Sequence, residues 1–449
     1  MGHLFINRYI QYMQKNGAPV SPPDRSANLA LGVLGLCFLF NVVGRGIGDT
    51  YMVFLLPLGQ EFGWHRSQMT SVYSMLMIVS GLAAPLAGYV FERWGPRVIY
   101  GAGLVLLVVG YTLAGHAHAL WQFYVCIGLL GGLGMSAVGM VPAAALISRW
   151  FRRRLSTALG LAYAGFGCGS LLIVPLVQAT INEHGWRHAY MAIGIALLVV
   201  FGVSMALPWR TIRRGWDGVA AMPAPPDLVP TPLPAPAAPS TATPAAAPPS
   251  PVRAALRDRR FWKLVQVMFF TATGMYLVIV QSVAYLIEVG FTPLQAAGAF
   301  GSAGLLSIIG VSSSGWMADR FGQRRAATFS FAGTIIGTAT LFAMTFGPTL
   351  SLLVTYVLFF GICQGARGPL IAGMSARIFA GPGQSTIYGI IFACMSIGSG
   401  IGALLSGALY DLTGGYRTGF VLSMACVLFA ATPFWTSSTL IPAAAPRSE

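Results

Sequence analysis

Long apolar runs separated by short polar breaks dominate the chain. A helix needs about 20 apolar residues to cross the hydrocarbon core of a bilayer, and segments of that length fall at 29–58, 68–91, 98–115, 119–148, 156–180 and 188–208. A second set of six follows at 261–288, 294–317, 326–346, 350–376, 385–407 and 417–436. Between the sets, residues 210–258 open on Arg210, Arg213 and Arg214 and run through a Pro/Ala stretch from Met222 to Pro251. They close on Arg253 and Arg257, with Arg259 and Arg260 just beyond. Such a stretch cannot bury enough apolar surface to pack a core and is expected to be an extended or disordered linker. The pattern predicts an all-α membrane protein of twelve transmembrane helices. Its parts are a segment 1–28, a six-helix bundle 29–209, the linker 210–258, a second six-helix bundle 259–436 and a tail 437–449.

A ten-residue pattern then relates the two sets. It reads Gly88-Tyr-Val-Phe-Glu92-Arg93-Trp-Gly95-Pro-Arg97 and returns as Gly315-Trp-Met-Ala-Asp319-Arg320-Phe-Gly322-Gln-Arg324, with Arg325 following, its first glycines 227 positions apart. Arg149-Trp-Phe151 answers Arg377-Ile-Phe379 at an offset of 228, and Gly185-Trp-Arg187 answers Gly415-Tyr-Arg417 at 230. The chain thus reads as two homologous halves. An even number of spans in each gives both halves one orientation, related by an axis along the membrane normal, and places a binding site between them near mid-membrane.

Composition agrees and narrows the function. Mean hydropathy is +0.70 and charged residues are 9%, against about a quarter in soluble domains. The net charge of +15 comes in short runs between apolar segments rather than on a face with interleaved aromatics, so nucleic-acid binding is not expected. With the N-terminus inside, Arg93, Arg97, Arg149, Arg152, Arg153, Arg154, the linker arginines, Arg320, Arg324, Arg325 and Arg377 all lie on the cytoplasmic side. The opposite loops keep Arg66, Arg187 and Arg417. Both termini are therefore expected in the cytoplasm. No small-residue cleavage site follows a short apolar core, so the first span is expected to be retained. Lys15 and Lys263 are the only lysines, a usage that points to a GC-rich bacterial genome and hence to the inner membrane. The six cysteines all sit in apolar stretches and read as small buried hydrophobes. His65, His116, His118, His184 and His188 lack the paired spacing of a metal site, and no cofactor is expected.

At the repeated loop the chain resembles the major facilitator superfamily, whose motif there reads Gly-x-x-x-Asp-Arg-x-Gly-Arg-Arg. The second copy keeps the acid as Asp319 and the basic cluster; the first has Glu92 for Asp and Pro96 for the first Arg. The resemblance implies the major facilitator fold, with Gly88, Gly95, Gly315 and Gly322 permitting close packing. It also implies that Glu92, Arg93, Arg97, Asp319, Arg320, Arg324 and Arg325 clamp cytoplasmic helix ends and favour the outward-open state, with Glu92 the looser clamp. Phe62-Gly-Trp64, the arginine run ending at Arg154 and Gly185-Trp-Arg187 resemble the monocarboxylate and oxalate–formate branch. The fifth span has Gly165-Phe-Gly167-Cys-Gly169 but lacks the Gly-Pro step of drug/proton antiporters, which disfavours an efflux pump.

Ionisable groups deep in a span are costly, about 2.5–3.5 kcal/mol each at the bilayer centre. Arg45 and Asp49 in the first span and Arg367 in the tenth are the ones that fall well inside, whereas Glu61, Glu288 and Asp411 sit near span ends and read as solvated headgroup-level charges. Asn41, Arg45 and Asp49 recur every four residues and share one helix face. The resemblance implies that spans one, four, seven and ten line a central cavity, where this stripe and Arg367 would meet. Two guanidiniums against one carboxylate leave about one positive charge in excess. The substrate expected is a small organic anion, a monocarboxylate, gripped by Arg367 and Arg45. Asn41, Gln281, Tyr285 and Gln364 are candidate hydrogen-bond partners for it, with Tyr73 and Tyr163 weaker ones. Asp49, ionised beside Arg45, is the candidate coupling group: a carboxylate competing for Arg45 loosens that pair and favours proton uptake, as symport needs. A purely structural Arg45–Asp49 pair, an anion exchanger, efflux of a bulkier solute and a non-transporting receptor are the competing expectations. An enzyme is not expected, since no metal motif, nucleophile constellation or nucleotide loop appears. The chain is expected to act as a monomer in the lipid bilayer.

Overall fold

The computed structural model describes residues 24–151, 155–214, 251–379 and 384–436. Most of the 1–28 segment and of the linker, the tail after 436 and the arginine run 152–154 lie outside the described residues. Every regular element among the described residues is a helix. The first half contains α1 (Asp24–Asp49, resumed as Tyr51–Phe62), α2 (Arg66–Trp94) and α3 (Pro96–Ala114). It continues with α4 (Leu120–Phe123, a π-helical Tyr124–Gly131, Gly132–Val138 and Met140–Trp150), α5 (Leu155–His184) and α6 (Trp186–Met205). The second half holds α7 (Arg259–Ile279, then Ser282–Glu288), α8 (Pro293–Phe321), α9 (Gln323–Met344), α10 (Leu350–Gln364, then Arg367–Ile378), α11 (Gln384–Thr413) and α12 (Arg417–Thr436). Eleven of these spans are long and apolar enough to cross a membrane. The exception is α10, expected as one segment over 350–376 but divided beside Gly365 and Ala366.

The breaks repeat as the sequence does. Each helix interruption in α4 and α10 precedes a proline by three residues, Gly139 before Pro142 and Ala366 before Pro369, and the two prolines are 227 positions apart. Proline has no N–H for the fourth residue back and its ring crowds that carbonyl, so the helix opens there. In α1 and α7 a hydroxyl competes instead for a turn carbonyl: Thr50 Oγ1 donates to Ile47 O (2.6 Å) and Ser282 Oγ to Ile279 O (2.8 Å). Turns repeat too, since Gly95 (φ 87°) and Gly322 (φ 88°), the second glycines of the two motif copies, both hold a left-handed backbone between spans.

The halves meet where α2 packs on α11 and α5 on α8. Small residues bring the backbones together, as in membrane helix pairs generally: a Cβ on Gly167 would lie 2.4 Å from Gly304 O, and one on Gly407 2.2 Å from Thr70 Oγ1. The end opposite the arginine-rich loops is clasped across the halves. Asp411, at the end of α11, accepts the backbone N–H of Arg66 (3.0 Å) and of Ser67 (2.8 Å) at the start of α2. A carboxylate there meets orphan donors and the positive end of the helix dipole. Arg66 pairs with Glu288 at the end of α7 and stacks over Tyr410, whose hydroxyl donates to Glu288 Oε2 (3.2 Å). Glu288 and Asp411, expected as solvated charges, are therefore inter-half contacts. Glu61 is paired as well, within its own half, with Arg187 Nη2 (2.7 Å) and the Trp186 indole.

The repeated motif lies at the other end. Arg93 Nη1 donates to Tyr89 Oη (2.7 Å), Arg149 stacks over Phe91 (4.7 Å) and Arg324 over Trp435 (4.5 Å). Glu92, Arg97, Arg320 and Arg325 are exposed. Among the described residues no ion pair engages Glu92. The Asp319 and Arg377 side chains lie outside the described set.

Two outcomes follow from this arrangement. Gly167→Val should press on the α8 backbone, an overpacking worth about 1–3 kcal/mol, and lower the melting temperature in detergent; an unchanged melt would show that α5 and α8 separate freely. Asp411→Asn combined with Arg66→Ala should open the clasped end. Impermeant-maleimide labelling of Ser74→Cys, buried on α2 beside Gly400, should then accelerate severalfold in a background without other accessible thiols.

Candidate functional site

The first span carries the site because its apolar run is interrupted every fourth residue on one face and then broken after Asp49. Arg45 Nε lies 3.1 Å from both carboxylate oxygens of Asp49, the i,i+4 geometry expected from their spacing. Asp49 is almost wholly buried, while the Arg45 side chain keeps 28% of its surface exposed. Ser170 of α5 donates to Asp49 Oδ2 at 2.5 Å. Ser170 also forms part of the α5–α8 contact, since a Cβ on Gly304 would lie 2.9 Å from its Cβ. The carboxylate is thus tied directly to the seam between the halves. Asn41, one turn before Arg45, donates to Ala162 O (3.1 Å) and pins α1 to α5 rather than facing open space.

Across the seam, Tyr276 of α7 and Tyr73 of α2 both come near enough to the Arg45 guanidinium to interact with it electrostatically. The two rings are 6.2 Å apart and inclined by 32°. Tyr73 is fully buried and its hydroxyl has no hydrogen-bond partner. Ser170 and Tyr276 were invisible to sequence reasoning. A serine or tyrosine in an apolar span is unremarkable until the neighbouring helix is known. The polar positions that repeat at four-residue spacing were the legible signal, and neither residue belongs to such a set.

The remaining candidates are placed elsewhere. Arg367 opens the second piece of α10, only 2% exposed. Its Nη2 donates to Thr334 Oγ1 of α9 (2.7 Å) and approaches Cys363 O and Met275 Sδ (3.4 Å each), and the guanidinium lies 4.9 Å over Phe331. All these partners belong to the second half, so the expected meeting with Arg45 does not occur in this conformation. The physical reason is the α10 break, which starts a new helix at Arg367 and aims it at α9. Its Nε and Nη1 are buried without partners. Gln281 gives Nε2 to Ser406 O of α11 (2.6 Å), Tyr285 its hydroxyl to Leu341 O of α9 (2.6 Å), and Gln364 its Nε2 to Ala303 O of α8 (2.9 Å). These three bonds tie spans together inside the second half. Tyr163 hydrogen-bonds Met140 O (3.4 Å) and stacks on Phe166. Among the described residues no cluster of three His, Cys, Asp or Glu could hold a metal ion, and the cysteines are unpaired and buried or half-buried.

At the seam between the two halves the structure thus sets a part-exposed cation, a buried carboxylate beside it, and the hydroxyls of Ser170 and Tyr73 nearby. The family model of the Major Facilitator Superfamily matches residues 34–359 and 312–449. The chain is 28% identical over 408 residues to monocarboxylate transporter 13 of Bos taurus, covering 90% of this chain and 88% of that protein. It is 26% identical over 424 residues to monocarboxylate transporter 12 of Mus musculus, covering 92% and 85%. Among solved structures, a bacterial homolog of the human lysosomal transporter Spinster, in an inward-facing and unoccupied conformation, superposes with a TM-score of 0.67 at 16% identity. That match covers 93% of this chain and 98% of that one, and is a likeness of fold. Because the family model spans both halves and the relatives match nearly from end to end, the chain belongs to the Major Facilitator Superfamily and is a multi-pass membrane transporter, not an enzyme.

Proposed function

We propose that this transporter carries a small organic anion, a monocarboxylate, together with a proton, across a bacterial inner membrane in which both its termini are cytoplasmic. The observation that carries the proposal is the Arg45–Asp49 pair, part-exposed on its cationic side and buried on its acidic side, at the seam between the halves. Relatives named monocarboxylate transporters along nearly the whole chain support the substrate class.

Arg45 grips the substrate carboxylate with the terminal edge of its guanidinium, which Asp49 leaves available by engaging Nε. As the substrate shares the cation, Asp49 loses part of its counter-charge and takes up a proton. Protonation weakens the Ser170 hydrogen bond to Asp49 and so loosens the α5–α8 contact, while the Arg66–Glu288–Asp411 clasp holds the other end. Substrate and proton then leave together when the halves rock. Among the described residues no carboxylate pairs with Arg367, so it supplies the excess positive charge that favours an anion. The α10 break immediately before it gives it a hinge. That same unpaired charge favours a second reading, an obligate anion exchanger whose cation must be filled before reorientation. Uptake into liposomes driven by a pH gradient supports symport, whereas uptake that requires preloaded counter-substrate supports exchange.

Charged hydrogen bonds contribute about 1.5–3 kcal/mol, so Arg45→Gln should reduce carboxylate uptake by about ten- to a hundredfold in proteoliposomes; wild-type uptake would exclude Arg45 as the anchor. Asp49→Asn should abolish pH-driven accumulation while sparing exchange, and intact proton coupling would remove Asp49 from the mechanism. Arg367→Met eliminates a buried charge with two unpartnered nitrogens. The melting temperature should hold or rise while uptake falls, a combination that a merely structural arginine would not give.

A further inference from the structure

Beside the Asp49 carboxylate, the neighbours of Arg45 include two tyrosines. Tyr73 and Tyr276, from opposite halves, both lie within electrostatic reach of the guanidinium, and their rings are 6.2 Å apart and inclined by 32°. Tyr73 stacks in turn on Tyr51 at 5.9 Å, which makes it a fixed wall. Tyr276 is half-buried and Arg45 keeps 28% of its side-chain surface exposed. Nearer the arginine-rich end of α5, Tyr163 and Phe166 lie parallel (5.8 Å, 3°) and half-buried. Tyr388 of α11, from the other half, lies close enough to Tyr163 for their hydroxyls to interact electrostatically.

We infer that the site selects aromatic monocarboxylates over short aliphatic ones. The inference rests on the anion reading above and specifies the organic part of the substrate. Ring faces carry partial negative charge and ring edges partial positive charge, so aromatic pairs gain stacking or edge-to-face attraction beyond their buried area. An alkyl chain of two or three carbons gains neither. A benzoate-like substrate places its carboxylate on the Nη edge of Arg45 and its ring against the accessible face of Tyr276. The Tyr73 hydroxyl, buried and unpartnered, donates a further hydrogen bond to the same carboxylate. A buried hydroxyl without a partner is costly in the empty site, and a carboxylate removes that cost. Tyr163, Phe166 and Tyr388 supply further ring surface between the arginine-rich end and the site.

The experiment is uptake of radiolabelled benzoate and lactate by the full-length transporter in proteoliposomes. Benzoate should show a KM about tenfold or more below that of lactate. Tyr276→Leu should collapse that ratio toward one and Tyr276→Phe should keep it, because the ring and not the hydroxyl is the selecting group. Tyr73→Phe should raise the KM for both probes in parallel. Should Tyr276→Leu fail to give a monodisperse protein, Phe166→Leu reads out the same ratio. Equal KM values in the parent, or a ratio that survives loss of the Tyr276 ring, overturn the aromatic preference and leave the anion reading standing. Absence of uptake of either probe in the parent, with no change in melting temperature on adding either, overturns both.

Discussion

A helix that breaks inside a bilayer must have its freed backbone groups answered by protein, because lipid offers no hydrogen bonds. Everything distinctive about this transporter gathers around four such breaks, in α1, α4, α7 and α10. Two are produced by prolines 227 positions apart and two by hydroxyls that capture a turn carbonyl, Thr50 and Ser282. The chemistry stands beside them: Asp49 ends the first piece of α1, Gln281 lies in the α7 break, and Gln364 and Arg367 flank that of α10. Breaking these helices creates the local irregularity that a charged group needs in a membrane interior.

The unbroken spans do different work. α2, α5, α8 and α11 form the seams, with small residues where backbones meet. The clasp of Arg66, Glu288 and Asp411 holds one end of these seams, and the repeated motif occupies the other. Glu92 is exposed and without an ion pair among the described residues. The Asp49–Ser170 hydrogen bond connects the candidate proton site to the α5–α8 seam.

Much of the site was legible in the chain. The Arg45–Asp49 pair follows from a four-residue spacing on a helix, and the cost of a deep charge singled out Arg367. Other candidates bond within the protein in this conformation, for a common reason. Asn41, Gln281, Tyr285 and Gln364 each satisfy a carbonyl on a neighbouring span, because a polar side chain in a membrane interior bonds to the nearest available backbone group. Sequence gives the polarity of a position but not which carbonyl lies opposite. Ser170, Tyr276 and the cross-half partners of Asp411 were missed on the same ground, since their partners lie more than 100 positions away in the chain.

By itself the sequence determined the number of spans, their near boundaries and the duplication, all of which depend on local hydropathy and the order of residues. Tertiary structure alone decided which end is clasped, that Arg367 turns into its own half, and that two tyrosines from different halves come near Arg45. These depend on how long helices rotate and slide against one another. In a membrane that choice is governed by small-residue packing and the pairing of a few polar groups, interactions whose partners the order of residues does not specify.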